Sequence, residues 1–298
     1  MSRVLICNPN SGSGDHAPQV RELADEHGFT LHETEQEGDT VEFAREFGPD
    51  ADIVAACGGD GTINEVVTGL YEADCLDTTT LAVIPAGTGN NFASQLGIPN
   101  IETAFDLVDA GEVRHIDLAL ANGRPFVNSC VAGLTAEASA ETTPELKSKY
   151  GILAYVFTTF RTMNDYEGMR LAIETDNAIT ESWSGKAVVA LIGNARRFPA
   201  SGGTQANVED GLLDVTIAEE RPTMELMGEA AVSRFLGSET AHLHRLKSKS
   251  LTISVLDGTT HFSLDGEMLE TDHLTIETLP QVLSVFVGEG YEPVPDEA

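Results

Sequence analysis

The sequence predicts two domains: an α/β N-terminal domain built on a parallel sheet, then a mostly antiparallel β-sandwich C-terminal domain. Three observations carry this. Through the first 120 residues, apolar runs of strand length alternate with stretches of helical spacing, the pattern of βαβ units. Beyond that point, short apolar or alternating runs follow one another with turns between them, as in a sandwich. In the first half, three glycine-rich loops each directly follow an apolar run. The expected organisation is residues 1–120, residues 121–288 and a short acidic tail, 289–298.

The elements follow in order. Val4-Leu-Ile-Cys7 is a strand-like run, and Asn8-Pro9-Asn10-Ser11-Gly12 breaks it into a loop. Val20, Leu23 and Ala24 have helical spacing. Phe29-Thr-Leu31 predicts a second strand, and Asp39 is placed as N-cap of a helix carrying Val41, Phe43 and Ala44. Ile53–Cys57 is the third strand, Gly58-Gly59-Asp60-Gly61 the break after it, and Thr62 to Leu70 the next helix. Leu81–Ile84 is the fourth strand, ahead of Pro85-Ala-Gly-Thr88-Gly and another helix start. In the second half Phe126–Ala132, Met169–Glu174, Ala187–Gly193, Leu213–Ala218, Leu251–Val255 and Leu283–Val287 are expected strands. Ile179–Trp183, His261–Leu264 and His273–Glu277 alternate, and helices are expected near Leu146–Met163 and Thr223–Leu236.

Composition narrows the function. Hydrophobic residues are 41% of the 298, enough for a real core. No apolar run approaches the ~20 residues of a spanning helix. The start runs straight into a strand without a signal-peptide core, so a cytoplasmic protein is expected. The net charge is −31, from 17 Lys and Arg against 48 Asp and Glu, which excludes nucleic-acid binding by a basic face. The acids are spread along the chain, as in Glu33-Thr34-Glu35-Gln36-Glu37-Gly38-Asp39. Such a chain repels itself in dilute buffer and is relieved at ~1 M salt, where the screening length is about 3 Å. A salt-rich cytoplasm is the expectation. Cys7, Cys57, Cys75 and Cys130 form no C-x-x-C pair, so buried small thiols are expected, not a disulfide frame or a zinc site.

The chemistry points to the loops. In an open parallel sheet, ligands bind beyond the carboxyl ends of the strands. Glycine lets backbone approach an anion, and helix N-termini offer free N–H groups to phosphate. Asp60 inside such a loop would repel a nucleotide unless a cation lay between, so it reads as a magnesium-side carboxylate acting through water; the other reading is an Asx-turn. No G-x-x-x-x-G-K-[S/T] and no G-x-G-x-x-G after the first strand is present.

These segments resemble the diacylglycerol kinase catalytic family, the bacterial and archaeal lipid kinases that also resemble sphingosine and ceramide kinases. The likeness runs from Val4 to about Gly288. It is carried by Gly58-Gly59-Asp60-Gly61-Thr62-Ile63-Asn64-Glu65, Asn8-Pro-x-Ser-Gly12 and Gly87-Thr-x-Asn90-x-Phe-Ala93. Tyr150-Gly-x-Leu-Ala-Tyr155, Asp210-Gly-Leu-Leu-Asp214 and Asp265-Gly-Glu267 add to it. The shorter G-G-D-G is shared with NAD kinases and phosphofructokinases.

The resemblance implies ATP as co-substrate, contacted by Asn8, Pro9, Asn10, Ser11, Gly12, Thr34, Gly59, Asp60, Gly61, Thr62, Ile63, Asn64, Glu65 and Thr88. It implies Mg2+ held through water by Asp60 and Asp117. Glu267, in the motif that begins at Asp265, matches the proton acceptor. Asn207, Asp210 and Leu212 match a structural metal position, the first and last through backbone carbonyls. It implies a lipid substrate met at the membrane surface by a peripheral, cytoplasmic enzyme, and leaves room for a homodimer. With the charge, it points to a halophilic archaeon. Two departures stand out: Asn91 replaces a frequent Asp, and Gly202-Gly-Thr-Gln-Ala-Asn207 lacks a common proline. An NAD kinase and a catalytically degraded nucleotide- or lipid-binding regulator remain as alternative readings. His242-Leu-His244 reads as surface. Arg245, Lys247 and Lys249, with Arg234 upstream, read as a solvated strand edge or a headgroup contact; Arg196 and Arg197 lie in a loop beside the expected cleft.

Overall fold

The computed structural model describes residues 1–133, 168–176, 182–197, 205–220 and 243–295. The expected helices near Leu146–Met163 and Thr223–Leu236, the Tyr150–Tyr155 motif, Arg234, His242 and most of the Ile179–Trp183 run lie outside these residues.

The described chain divides into two compact units. The first is Met1–Asn128 with Asn207–Gly211 and Leu279–Val294. The second holds the rest. Two later segments therefore return to the first unit.

The first unit runs β1 (Arg3–Cys7), α1 (Ala17–Glu26), β2 (Thr30–Glu33), α2 (Asp39–Phe47), β3 (Ile53–Gly58), α3 (Asp60–Glu72) and β4 (Thr80–Pro85). It continues with α4 (Asn91–Gln95), α5 (Ile101–Ala110), β5 (Glu112–Ala121) and β6 (Arg124–Phe126). Strands β4-β3-β1-β2 are adjacent and parallel. β3 is buried along its whole length, as a strand covered on both faces must be, which is why it reads as an unbroken apolar run. Helix α2 starts at Asp39, but Asp39 is not its cap. Its carboxylate accepts N–H groups from Glu35 and Gln36 and so holds the preceding turn, and these bonds keep it below the usual carboxylate range.

The second unit is the mostly antiparallel β-sandwich domain expected. Its strands are β7 (Ser129–Ala132), β8 (Met169–Thr175), β9 (Trp183–Gly193), β10 (Leu213–Glu219), β11 (Leu243–Ser248), β12 (Ser250–Val255), β13 (Thr260–Leu264) and β14 (Glu267–Thr271). The run expected as one strand over Phe126–Ala132 is broken between β6 and β7 at Val127-Asn128. The two strands expected at His273–Glu277 and Leu283–Val287 are one, β15 (His273–Val287). Its first half pairs with β12; its second half pairs with β4 at Val285. Gln281, at φ +53°, marks the irregularity that hid this continuity. Residues 289–294 are no free tail: the Tyr291 hydroxyl donates to Glu209 at 2.7 Å within the first unit. β11 pairs with β10 alone among the described strands, and Arg245 and Lys249 are exposed beside it.

Candidate active site

The parallel order β2-β1-β3-β4 brings the ends of four strands to one edge. Thr34 follows β2 and gives its N–H to Cys7 O at 2.9 Å. Asn8 follows β1 and gives its N–H to Cys57 O at 3.0 Å. Gly59 follows β3, and Gly87-Thr88 follow β4. The residues expected from sequence to touch ATP, Asn8 to Gly12, Thr34, Gly59 to Glu65 and Thr88, are therefore at one edge.

Close backbone approach holds these loops. Asn8 Oδ1 accepts the Asn10 N–H at 3.0 Å, an Asx-turn that shapes the first loop. Gly12 sits at φ +58°, and a Cβ there would lie 2.7 Å from Ala86 O. A Cβ on Gly87 would overlap the Gly59 Cα. Asn90 closes the third loop on itself: its Oδ1 accepts Gly87 N–H at 2.8 Å and its Nδ2 donates to Gly87 O at 2.9 Å.

Asp60 joins two loops. One oxygen accepts Asn91 N–H at 3.0 Å and Asn91 Nδ2 at 3.1 Å. The other accepts Phe92 N–H at 2.8 Å and Asn128 Nδ2 at 3.3 Å. A carboxylate offers about four lone-pair sites, so these four donors fill them. Asn91 thus faces Asp60 as a donor, where an acid would face it as a like charge. Ile63 is fully buried, so a ligand would meet only its backbone. Asn64 is buried, and its Oδ1 has no partner among the described residues. Sequence reading missed Asn128 as a partner of Asp60. It stands where an unbroken strand was expected, and the only signal was a polar residue within that apolar run.

Asp117, on β5, lies with the Asn207–Gly211 loop. Its buried carboxylate accepts Gly211 N–H at 2.7 Å and Gln281 N–H at 2.8 Å. Burial raises its pKa to about 6 against these two N–H groups, and the charges of Asp210 and Glu209 push the same way. Asn207 Oδ1 accepts Glu209 N–H at 2.9 Å. Burial would raise Glu209, but the Arg114 guanidinium at 2.6 Å and Tyr291 hold it below its usual range. Leu212 follows directly, half-buried.

In the second unit, Asp265 and Gly266 form the two-residue turn of the β13–β14 hairpin, at φ +49° and +108°. That is the D-G turn chemistry hairpins favour. The Asp265 carboxylate accepts Ser129 N–H at 2.8 Å and its own N–H goes to Ser129 O at 3.0 Å. Glu267 opens β14 and is exposed. Among the described residues no helix is long and apolar enough to cross a membrane.

Comparison with known proteins places this geometry. Residues 2–121 match the diacylglycerol kinase catalytic domain, and residues 128–287 match the YegS C-terminal NAD kinase beta sandwich-like domain. Lipid kinase YegS of Escherichia coli (strain K12) is 34% identical, over 94% of this chain and 94% of that protein. A crystal structure of a candidate diacylglycerol kinase from Bacillus anthracis str. Sterne superposes with a TM-score of 0.79 at 27% identity, covering 98% of this chain and 96% of that one. Edge loops, hairpin and both domain matches converge: the chain belongs to the diacylglycerol kinase catalytic family, in the branch that ends in a YegS-type sandwich domain.

Proposed function

We propose that this kinase transfers the γ-phosphoryl group of ATP to a hydroxyl of a diacylglycerol-like lipid, working from the cytoplasm at the membrane surface. The observation that carries the reading is the convergence of four strand-end loops, two of them locked backbone to backbone at Gly59 and Gly87. Its support in kind is that the similar proteins carry lipid kinase and diacylglycerol kinase names.

Phosphoryl transfer needs positioning and charge stabilisation more than covalent chemistry. The loop backbones cradle the phosphates, with Thr34, Thr62, Asn64 and Thr88 beside them. The lipid hydroxyl oxygen attacks the γ-phosphorus, the bond to ADP breaks, and Glu267 takes the hydroxyl proton. Asp265 is a positioning residue that fixes the hairpin through Ser129. A magnesium ion bound with the nucleotide would supply neutralisation of phosphoryl charge. Asp60 would hold it only through water, since both of its oxygens already accept N–H groups. The Asn207, Asp210 and Leu212 set supplies hard oxygen donors for a structural ion, next to the acid cluster of Asp117, Glu209 and Asp210.

The test is transfer from γ-labelled ATP with magnesium, at low and high KCl, offering lipid extract and NAD side by side. Label in the organic phase, rising with KCl as the −31 charge is screened, is the expected result. Label on NAD alone, or ATP binding without transfer to either, overturns the lipid reading.

A further inference from the structure

The pairing of β1 with β3 sets Cys7 beside Cys57. His16, just ahead of α1, returns to the same place after the first loop. The ligand atoms of the three lie within 4.8 Å of one another, and all three side chains are buried. No step of phosphoryl transfer uses them. We propose that Cys7, Cys57 and His16 form a binding site for a thiophilic divalent cation, with zinc(II) the ion their charge and geometry fit.

Tetrahedral zinc, with bonds of ~2.3 Å to sulfur and ~2.0 Å to nitrogen, sets its ligand atoms ~3.5–3.8 Å apart. The cluster reaches that by contracting about 1 Å, within the range of side-chain rotation. His16 Nε2 lies 3.2 Å from the Asn8 carbonyl oxygen. A carbonyl only accepts, so Nε2 carries the proton and Nδ1 keeps its lone pair. A zinc-ligating histidine is typically held this way, its other ring N–H given to a backbone carbonyl. Two thiolates cancel the charge of the ion, so the loaded cluster brings no net charge into the buried edge. The fourth position is left to water or a carbonyl oxygen, as in three-ligand zinc sites. Cys7 and His16 bracket the Asn8–Gly14 loop, so the ion clamps both ends of a phosphate-facing segment. Spacing along the chain hides this site, which is why sequence reading expected none.

The experiment titrates the reduced, metal-free full chain with cobalt(II) as a spectroscopic stand-in, then with zinc against a chromophoric chelator. One equivalent of cobalt with a thiolate-to-cobalt charge-transfer band is expected, both in the wild type and in Cys75→Ala/Cys130→Ala, which removes the other two free thiols. Cys57→Ala, which leaves Cys7 as the one thiolate, should weaken the band and bind zinc at least ~100-fold more weakly, beyond the usual cost of an outer-sphere change. His16→Gln keeps an amide donor for the Asn8 carbonyl and loses only the Nδ1 ligand. It should melt near the wild type yet bind zinc at least ~10-fold more weakly. A reduced wild type with no sulfur band overturns the proposal, as does a band of undiminished intensity in Cys57→Ala or an unchanged zinc affinity in His16→Gln.

Discussion

The strand-end edge of the first unit and the Asp265-Gly266 hairpin of the second hold their polar residues in opposite ways. At the edge, side chains are consumed in fixing backbone: Asp60 accepts four donors, Asn90 closes its own loop, and Asn8 caps a turn. What these contacts leave to face a ligand is largely backbone. At the hairpin, Asp265 does the fixing and Glu267 stays exposed on the first residue of β14. Cradling a polyanion asks for rigid dipoles, whereas taking a proton asks for a carboxylate that a substrate can reach, and Glu267 is exposed. The comparison predicts that a change at Glu267 alters rate alone, and that a change at the close Gly59–Gly87 contact alters stability and nucleotide binding together.

The largest effect expected is at the hairpin. Glu267→Gln should lower turnover ~10²–10⁴-fold, the usual contribution of a positioned base, with the melt and ATP affinity unchanged. Wild-type turnover in that variant would remove Glu267 from the mechanism. The edge breaks differently. Gly87→Ala drives a Cβ into the Gly59 Cα and should cost about 1–3 kcal/mol, the range for overpacking, and weaken ATP with it. Gly61→Ala is the matched control for stability: a Cβ there meets nothing within 4 Å, and in the first turn of α3 alanine should be neutral or up to about 1 kcal/mol better. Equal melting losses in the two variants would show that flexibility, and not close approach, makes these glycines necessary.

The same contrast explains what the sequence made legible. β1, β3 and β4 are buried on both faces, so they read as apolar runs, and their loops read as glycine breaks. β15 did not read as one strand, because Pro280 and the positive-φ Gln281 interrupt it, and the reason for the interruption is distant: the Gln281 N–H goes to Asp117. Asp39 looked like a cap because its type and place were right; its hydrogen bonds go backward to the turn. Cys7, Cys57 and His16 meet through strand register, which no local pattern encodes. Glu267 taken alone is an acid after a D-G turn, and only its motif marked it as a site.

Two smaller effects sharpen the picture of the acids at the first unit. Asn91→Asp removes an amide donor and sets a second carboxylate against Asp60. It should cost about 1.5 kcal/mol without divalent ions, the worth of a hydrogen bond to a charged group, and recover when magnesium bridges the pair. Loss without recovery would mean that Asp60 serves the loops alone.

Asp117 gives the smallest and most diagnostic shift. Burial lifts its folded pKa to about 6 from an ordinary 3.8, despite the N–H groups of Gln281 and Gly211. A carboxyl raised on folding binds its proton more tightly in the folded state. Its stabilising contribution is therefore complete below about 3.8 and is lost as pH rises through about 6. Asp117→Asn abolishes the titration but leaves one side-chain acceptor for two N–H groups, so it should lower stability by about 1 kcal/mol at acid pH. The wild type's margin over the variant should then shrink and change sign as pH rises from 4 to 7. A cation on the Asn207–Leu212 loop would favour the charged carboxylate, so magnesium should stop or reverse this loss of margin if that loop binds it. A margin that grows with pH in the absence of magnesium would show that the two backbone donors outweigh burial, and that the carboxylate is held as an anion by the fold alone.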